Sequence, residues 1–337
     1  MKLEKIISAC GEKQPFIIAE VGNNHEGDFG LAQELVHAAA TAGADAVKFQ
    51  TIDPLKIVSS DQVERIAQLG RFRFSFGEFA ELSNLADNLG ILFFSTPFDL
   101  QAVDKLDPIQ RIFKVSSGDN TYTDLVSKVA QKGKQTLIST GGMSQSDIKK
   151  LDKLFSSHAV PGAELILLHC ISLYPTAAED AELWRIKWLI DNFPDSIIGY
   201  SDHTLGLEAC KIAVALGARV LEKHFTLDKK QSDFRDHQLS ADPEEMEQLV
   251  RDCRNVKTFI GEETASKRPD SYMIGMRRAA VAARDIPQGN LLSAEDVSWL
   301  RSIDQHAIFD ATQVLGKVIL KDLTVGQIIK TKHFIKD

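Results

Sequence analysis

The chain has 337 residues, 44% hydrophobic and 26% charged, an ordinary composition for a globular protein able to bury a sizeable core. Its formal net charge of −8 argues against a nucleic acid or an anionic membrane as partner, because both require a basic face. No apolar run reaches the roughly 18 residues of a membrane-spanning helix. The N-terminal MKLEKIISACGEKQPF has too short an apolar core for a secretory signal, so a cytoplasmic protein is expected. Cys10, Cys170, Cys210 and Cys253 form no CxxC pair, which predicts reduced thiols rather than a disulfide framework or a zinc site.

Along the first 260 residues, short apolar runs rich in branched residues alternate with amphipathic stretches. The predicted strands are 16–21, 46–50, 91–96, 112–116, 136–140, 165–169, 197–200 and 220–224. Each precedes a helical stretch, such as LAQELVHAAATAG or GLEACKIAVALGA, and Gly43, Gly90, Gly133 and Gly217 are placed as left-handed helix ends. Eight such units over about 250 residues predict a (β/α)8 TIM barrel. No GxGxxG follows the first strand, which weakens a dinucleotide-binding alternative. The segment 52–89 is longer than one crossover helix needs, and its RFRFSF stretch reads either as a substrate-covering loop or as an extra helix with packing aromatics. Near residue 262 the pattern changes to the polar EETASKRPDSYMIGMRR, then to short strand-like pieces around the turn PQGN. The expected organisation is a barrel domain 1–262, a linker 263–276 and a compact β-rich domain 277–337 whose own stability is marginal, so that it is expected to dock on something.

In a TIM barrel the active site lies at the C-terminal ends of the strands. The first strand ends in Glu20, Asn23, Asn24, His25 and Glu26; the second in Lys48 and Gln50; the third in Ser95, Thr96 and Asp99. The fourth offers Lys114, Ser116, Ser117 and Asp119, and the fifth Ser139, Thr140 and the backbone of Gly141 and Gly142. The sixth gives His169, Ser172 and Tyr174, the seventh Ser201, Asp202 and His203, and the eighth Glu222, Lys223, His224 and Thr226. All eight rims are polar, which a purely structural barrel has no reason to maintain, since charge near a packed core is costly unless paired. Lys48 and Lys114, with the hydroxyls and glycine-backed amides around them, compose a receptor for phosphate and carboxylate. The same lysines also read as Schiff-base nucleophiles. His203 and His224 end adjacent strands about 4.8 Å apart, so they are either structural histidines or two ligands of one metal with open positions for water and substrate. Two imidazoles alone do not select zinc; Mn²⁺ or Mg²⁺ is the expected ion.

In this order, AEVGNNHEG, AVKFQT, FFSTPFD, KVSSGDN, LISTGGMS, LLHCISLYPT, GYSDHTLG and LEKHFT resemble the sialic acid synthase family from about residue 14 to 260. Residues 277–337 resemble that family's small antifreeze-like (SAF) domain. The resemblance implies condensation of phosphoenolpyruvate with the open-chain aldehyde of an N-acetylated sugar such as N-acetylmannosamine. Phosphate would leave by C–O cleavage with the help of a divalent metal, Mn²⁺ before Mg²⁺ or Co²⁺. It implies phosphoenolpyruvate contacts from Lys48, Thr96, Lys114, Ser117, Ser139 and Ser201, a metal on His203 and His224, and proton handling by Glu20. Around the sugar it implies Gln50, Asp119, Tyr174 and Asp236. Arg301 would reach the N-acetyl group from the SAF domain of a second subunit in a domain-swapped homodimer.

The departures from the family pattern gather around the sugar. SDFRDHQLS keeps Asp236 and His237 but has Phe234 and Arg235 where the family has glycine and proline. Ser172 replaces an asparagine, Asp119 a frequent glutamate, and Ser302 a frequent proline. Arg235 reads equally as a contact to a carboxylate or different acyl group and as a surface ion pair. Two alternatives stand beside the synthase: phosphoenolpyruvate condensation with another aldose or an aldose phosphate, and a carbohydrate- or ice-binding protein without catalysis.

Overall fold

The computed structural model describes residues 14–232, 234–261 and 275–334. By its contacts the chain divides into two compact units, Met1–Ile260 and Gly261–Asp337. Cys10 and nearly all of the expected linker 263–276 lie outside the described residues. No described helix is long and apolar enough to cross a membrane.

The first unit contains the eight parallel strands the sequence predicts: β1 (Phe16–Gly22), β2 (Ala46–Thr51), β3 (Leu92–Pro97), β4 (Ile112–Val115), β5 (Gln135–Ser139), β6 (Glu164–Cys170), β7 (Ile197–Asp202) and β8 (Val220–His224). They hydrogen-bond in the order β3-β2-β1-β8-β7-β6-β5-β4, and β3 and β4 lie side by side to close a near-barrel. Because side chains alternate along a strand, each strand feeds two cores. Phe16, Ile18, Ala46, Phe94, Ile112, Leu137, Ile166, Leu168, Ile197 and Val220 fill the barrel interior. Their neighbours, among them Ile17, Val47, Phe93, Phe113, Ile138, Leu167 and Leu221, pack against the helices.

The surrounding helices include α1 (Phe29–Thr41), α2 (Pro54–Ile57), α3 (Val63–Gly70), α4 (Phe76–Asn88), α5 (Leu100–Leu106), α6 (Thr123–Ala130), α7 (Gln145–His158), α8 (Trp184–Asn192), α9 (Glu208–Ala215), α10 (Arg235–Leu239) and α11 (Pro243–Ile260). Several start on a side-chain cap that satisfies a free backbone N–H. Ser75 and Glu78 form a reciprocal box at α4, and Asp99 accepts from the amides of Gln101 and Ala102 at α5. Gly43, Gly90, Gly133 and Gly217 all have positive φ at helix ends, as the sequence predicts.

The long connection after β2 holds three helices, and RFRFSF runs from the end of α3 into α4 with its aromatics packed. Phe74 packs on the buried ring of His25, centroids 4.2 Å apart. Phe72 joins Ile52, Leu69, Phe98 and Phe234 in a small apolar cluster over the barrel mouth.

The second unit is built on an antiparallel pair, β9 (Arg278–Ala282) and β10 (Val297–Arg301), extended by isolated bridges such as Val281 with Ile328 and Ile286 with Leu323. Its own core includes Ala280, Ile286, Leu292, Val314, Ile319 and Ile329. Asp296 accepts from Ser293 and from Arg284 across the turn that leads into β10.

Candidate active site

At the C-terminal ends of the strands lies a cavity of about 550 Å³. Strand register assembles its floor. Glu20 stands directly between Lys48 and His224 in the ladder, and Ser201 stands opposite Glu222. Lys48 Nζ is 2.8 Å from Glu20 Oε2 and 3.6 Å from Glu222 Oε2, and Lys114 Nζ is 3.7 Å from Glu222 Oε1. Ser201 Oγ donates to Glu222 at 2.9 Å, and Gln50 Nε2 donates to Glu20 at 3.1 Å. None of the four charged side chains is more than 6% exposed. A pair of buried lysines laced by two carboxylates is stable only as a network, because removal of one partner leaves uncompensated charge.

The environment splits the two carboxyls. Burial drives Glu20 above the ordinary carboxylate range, against the pull of Lys48 and with help from Glu222. Burial also works on Glu222, but Lys114 and Lys48 outweigh it and hold that carboxyl below its usual value. Burial likewise opposes the charge on Lys48, but Glu20 and Glu222 outweigh it and raise the ammonium above the ordinary lysine value. That argues against Lys48 as a Schiff-base nucleophile, which needs a neutral amine. Lys114 is lowered, chiefly by burial.

Above this floor the wall is hydroxyl and backbone. Ser116, Ser117, Gly118, Ser139, Gly141 and Gly142 line the cavity. Asn120 props the turn after β5 by donating to the carbonyls of Ser139 and Gly141, at 3.1 and 2.9 Å. A Cβ at Gly141 would lie 2.4 Å from Ser172 Oγ and 2.6 Å from Ser117 Oγ, so a side chain there would force both hydroxyls to move. The buried hydroxyl of Ser139 has no hydrogen-bond partner among the described residues, which leaves a donor for a bound anion.

His203 and His224 meet beside the floor with ring centroids 5.4 Å apart, and Tyr174 lies over His203 at 4.0 Å. His203 Nδ1 is 2.7 Å from the Ile171 carbonyl. A carbonyl only accepts, so Nδ1 carries a proton, and in the neutral ring Nε2 is then the nitrogen left to ligate a metal. A Cβ built on Gly22, whose φ is +56°, would touch Glu20 Oε1 at 3.4 Å and His224 Cε1 at 3.7 Å, so carboxylate and imidazole converge on one small space. Among the described residues no three His, Cys, Asp or Glu side chains gather closely enough to form a complete metal cage. Two imidazoles with open positions are the donor set that the protein offers.

Of the other residues singled out in the sequence, Gln50 and Asp236 line the cavity, whereas Lys48, Thr96 and Asp119 stand one layer behind it. Thr96 accepts from Lys48 at 3.2 Å, and Asp119 accepts from Ser116 at 2.6 Å. Arg301 ends β10 in the second unit, opposite Arg278 and exposed. Sequence reasoning named Glu222 only as a rim residue and missed its position between two lysines. It also missed Asn120 and Cys170, whose thiol accepts from Ser117 at 3.4 Å. The usable signal was period-two alternation. Val220, Glu222 and His224 share the inward face of β8, while Lys223 points to the helix layer and pairs with Asp202 at 2.8 Å.

Residues 35–265 match the NeuB family and residues 277–335 match the SAF domain. The chain is 43% identical over 299 residues to an uncharacterized protein of Methanocaldococcus jannaschii, covering 86% of each. It is 32% identical to the N,N'-diacetyllegionaminic acid synthase of Campylobacter jejuni, over 94% of this chain and 99% of that one. The crystal structure of N-acetylneuraminic acid (sialic acid) synthetase from Leptospira borgpetersenii superposes with a TM-score of 0.71 at 34% identity, covering 77% of this chain and 89% of that one. With its eight-stranded near-barrel, its floor of paired lysines and carboxylates and its C-terminal SAF domain, the chain belongs to the NeuB family.

Proposed function

We propose that the protein is a nonulosonic acid synthase that condenses phosphoenolpyruvate with the open-chain aldehyde of an N-acetylated sugar. The observation that carries this reading is the buried Lys48–Glu20–Glu222–Lys114 network opening onto unpartnered hydroxyl beside two imidazoles. An anion entering there meets the Lys114 ammonium, with Lys48 one layer behind, the Ser117, Ser139 and Ser201 hydroxyls and the amides at Gly141 and Gly142, which suits the phosphate and carboxylate of phosphoenolpyruvate. Thr96 steadies Lys48 from behind.

C3 of phosphoenolpyruvate attacks the aldehyde carbon, water adds at C2, and phosphate departs with its bridging C–O bond broken. Glu20 is suited to hold a proton in this sequence, because its carboxyl is raised by burial and sits beside His224. A divalent metal, Mn²⁺ before Mg²⁺ or Co²⁺, would be held by His203 and His224 and, when bound, supplies Lewis-acid polarisation of the aldehyde oxygen. Gln50, Tyr174 and Asp236 face the acceptor, with Asp119 behind Ser116. Arg301 completes the acceptor site from a second subunit of a domain-swapped homodimer in the cytoplasm. The names of the Campylobacter and Leptospira relatives support the reaction class.

The test is phosphate release from phosphoenolpyruvate with Mn²⁺ and a panel of N-acetylated aldoses. Release with at least one of them is expected. Release only with a phosphorylated aldose would move the protein to the neighbouring reaction class, and none with any aldose would refute a synthase.

A further inference from the structure

We propose that Glu26 is a positioning residue for the acceptor, fastening the loop after β8 that brings Phe234 and Asp236 to the cavity; the inference rests on the reading of that site given above. Glu26 adopts φ +48°, a left-handed backbone that residues other than glycine rarely take. In that conformation its Oε1 accepts from Ser232 Oγ at 2.6 Å and from His237 Nε2 at 2.9 Å, across 206 and 211 residues of sequence. His237 is fully buried, with Nδ1 2.7 Å from Thr226 Oγ1. Ser232 Oγ in turn accepts from the amide of Phe234 at 3.1 Å.

The same turn grips the far end of the loop. Asn24 Nδ2 donates to the Phe225 carbonyl at 2.9 Å and to Ser240 Oγ at 3.0 Å, and Ser240 Oγ donates to the Asp236 carbonyl at 2.6 Å. Two residues of NNHEG thus hold both ends of the segment whose middle faces the cavity. Between these ends Phe234 packs on Phe72, centroids 5.3 Å apart. Glu26 itself does not line the cavity, so its influence on substrate passes through Phe234 and Asp236. Among the described residues Glu26, Ser232 and His237 make no ion pair or side-chain hydrogen bond with Lys48, Lys114 or Glu222, so phosphoenolpyruvate binding is expected to depend little on this latch.

Steady-state kinetics and hydrogen–deuterium exchange on Glu26→Ala and Glu26→Gln test the proposal. The loss of two hydrogen bonds in Glu26→Ala is expected to raise the acceptor KM about tenfold. The phosphoenolpyruvate KM should stay within about twofold, and exchange over residues 231–239 should accelerate. Glu26→Gln, whose amide oxygen can accept both bonds, should restore both readouts. Should Glu26→Ala not fold, Glu26→Asp, one methylene too short for both bonds, should give the same split. An unchanged acceptor KM, or equal changes in both KM values, overturns the proposal. If the wild-type protein releases no phosphate with any acceptor, the synthase reading falls instead, and unaltered exchange at 231–239 would still reject the latch.

Discussion

The inner and outer halves of the cavity are built on opposite principles. The inner half is made of strand ends, with Lys48, Glu20, Glu222 and Lys114 buried and mutually paired at positions fixed by register. The outer half is made of helices and loops, with Ile52, Leu69, Phe72, Phe98 and Phe234 gathered in an apolar cluster. Charge on a rigid ladder selects one anion and tolerates little change, whereas an apolar rim can be reshaped without unpairing anything. Of the departures from the family pattern, Phe234 belongs to this apolar cluster and Ser172 lines the cavity, whereas the four paired charges of the floor match the strand-end motifs.

The sharpest way to break this comparison lies at the boundary between the halves. His203→Ala or His224→Ala should lower metal-dependent phosphate release at least about a thousandfold, the scale of a lost Lewis acid worth several kcal/mol, with the fold retained by circular dichroism. Turnover that survives either change without added metal would remove the imidazole pair from the chemistry.

Next in size is the floor. Glu222→Ala leaves Lys48 and Lys114 buried and facing each other across an emptied position, and should cost about 3–5 kcal/mol of stability in denaturant unfolding. A neutral result would mean that the lysines are solvated and that the floor is not a network.

A pH dependence belongs to the structure under the rim. His25 is pushed down to about 4, chiefly by burial, and its Nδ1 accepts from the Gly27 amide at 3.0 Å. Protonation would occupy that nitrogen and break the bond. Because the folded value lies below the unfolded one, near 6.5, this contribution is complete above pH 6.5 and is lost as pH falls from there towards 4. The loss should approach about 3 kcal/mol at most. His25→Gln should flatten the stability profile over that window, and an identical slope in the variant would assign the acid sensitivity elsewhere.

The smallest effect sharpens the outer half. Phe72→Ser should weaken acceptor binding by about tenfold, on the order of one lost apolar contact, while the phosphoenolpyruvate KM holds. A change in the phosphoenolpyruvate KM alone would show that the two halves are not separable.

The strands were legible because branched apolar runs between glycine-ended helices leave few other folds, and each predicted strand lies within two residues of the observed one. The inner half was legible only in part. Listing strand-end residues without their parity set Lys223 and Asp202 alongside Glu222 and Ser201, although odd and even positions face different layers. A carboxylate between two lysines was also counter to the expectation of a simple anion receptor, so Glu222 was passed over. The outer half was hardest to read, because the partners of Phe72 and Phe234 lie on separate segments and no local spacing joins them. Glu26 and His237 illustrate the same difficulty, being 211 residues apart in sequence and 2.9 Å apart in space.

Asp202 and Lys223 stand opposite each other in the β7–β8 ladder, and each immediately precedes one of the two imidazoles. Asp202 is further gripped by the Tyr200 hydroxyl at 2.9 Å and the Thr204 amide at 2.8 Å. The pair acts as a rivet driven from the helix side, so the gap between His203 and His224 is set by groups that no ligand touches. Sequence drift at the cavity rim can therefore proceed while the spacing of the two rings stays constant.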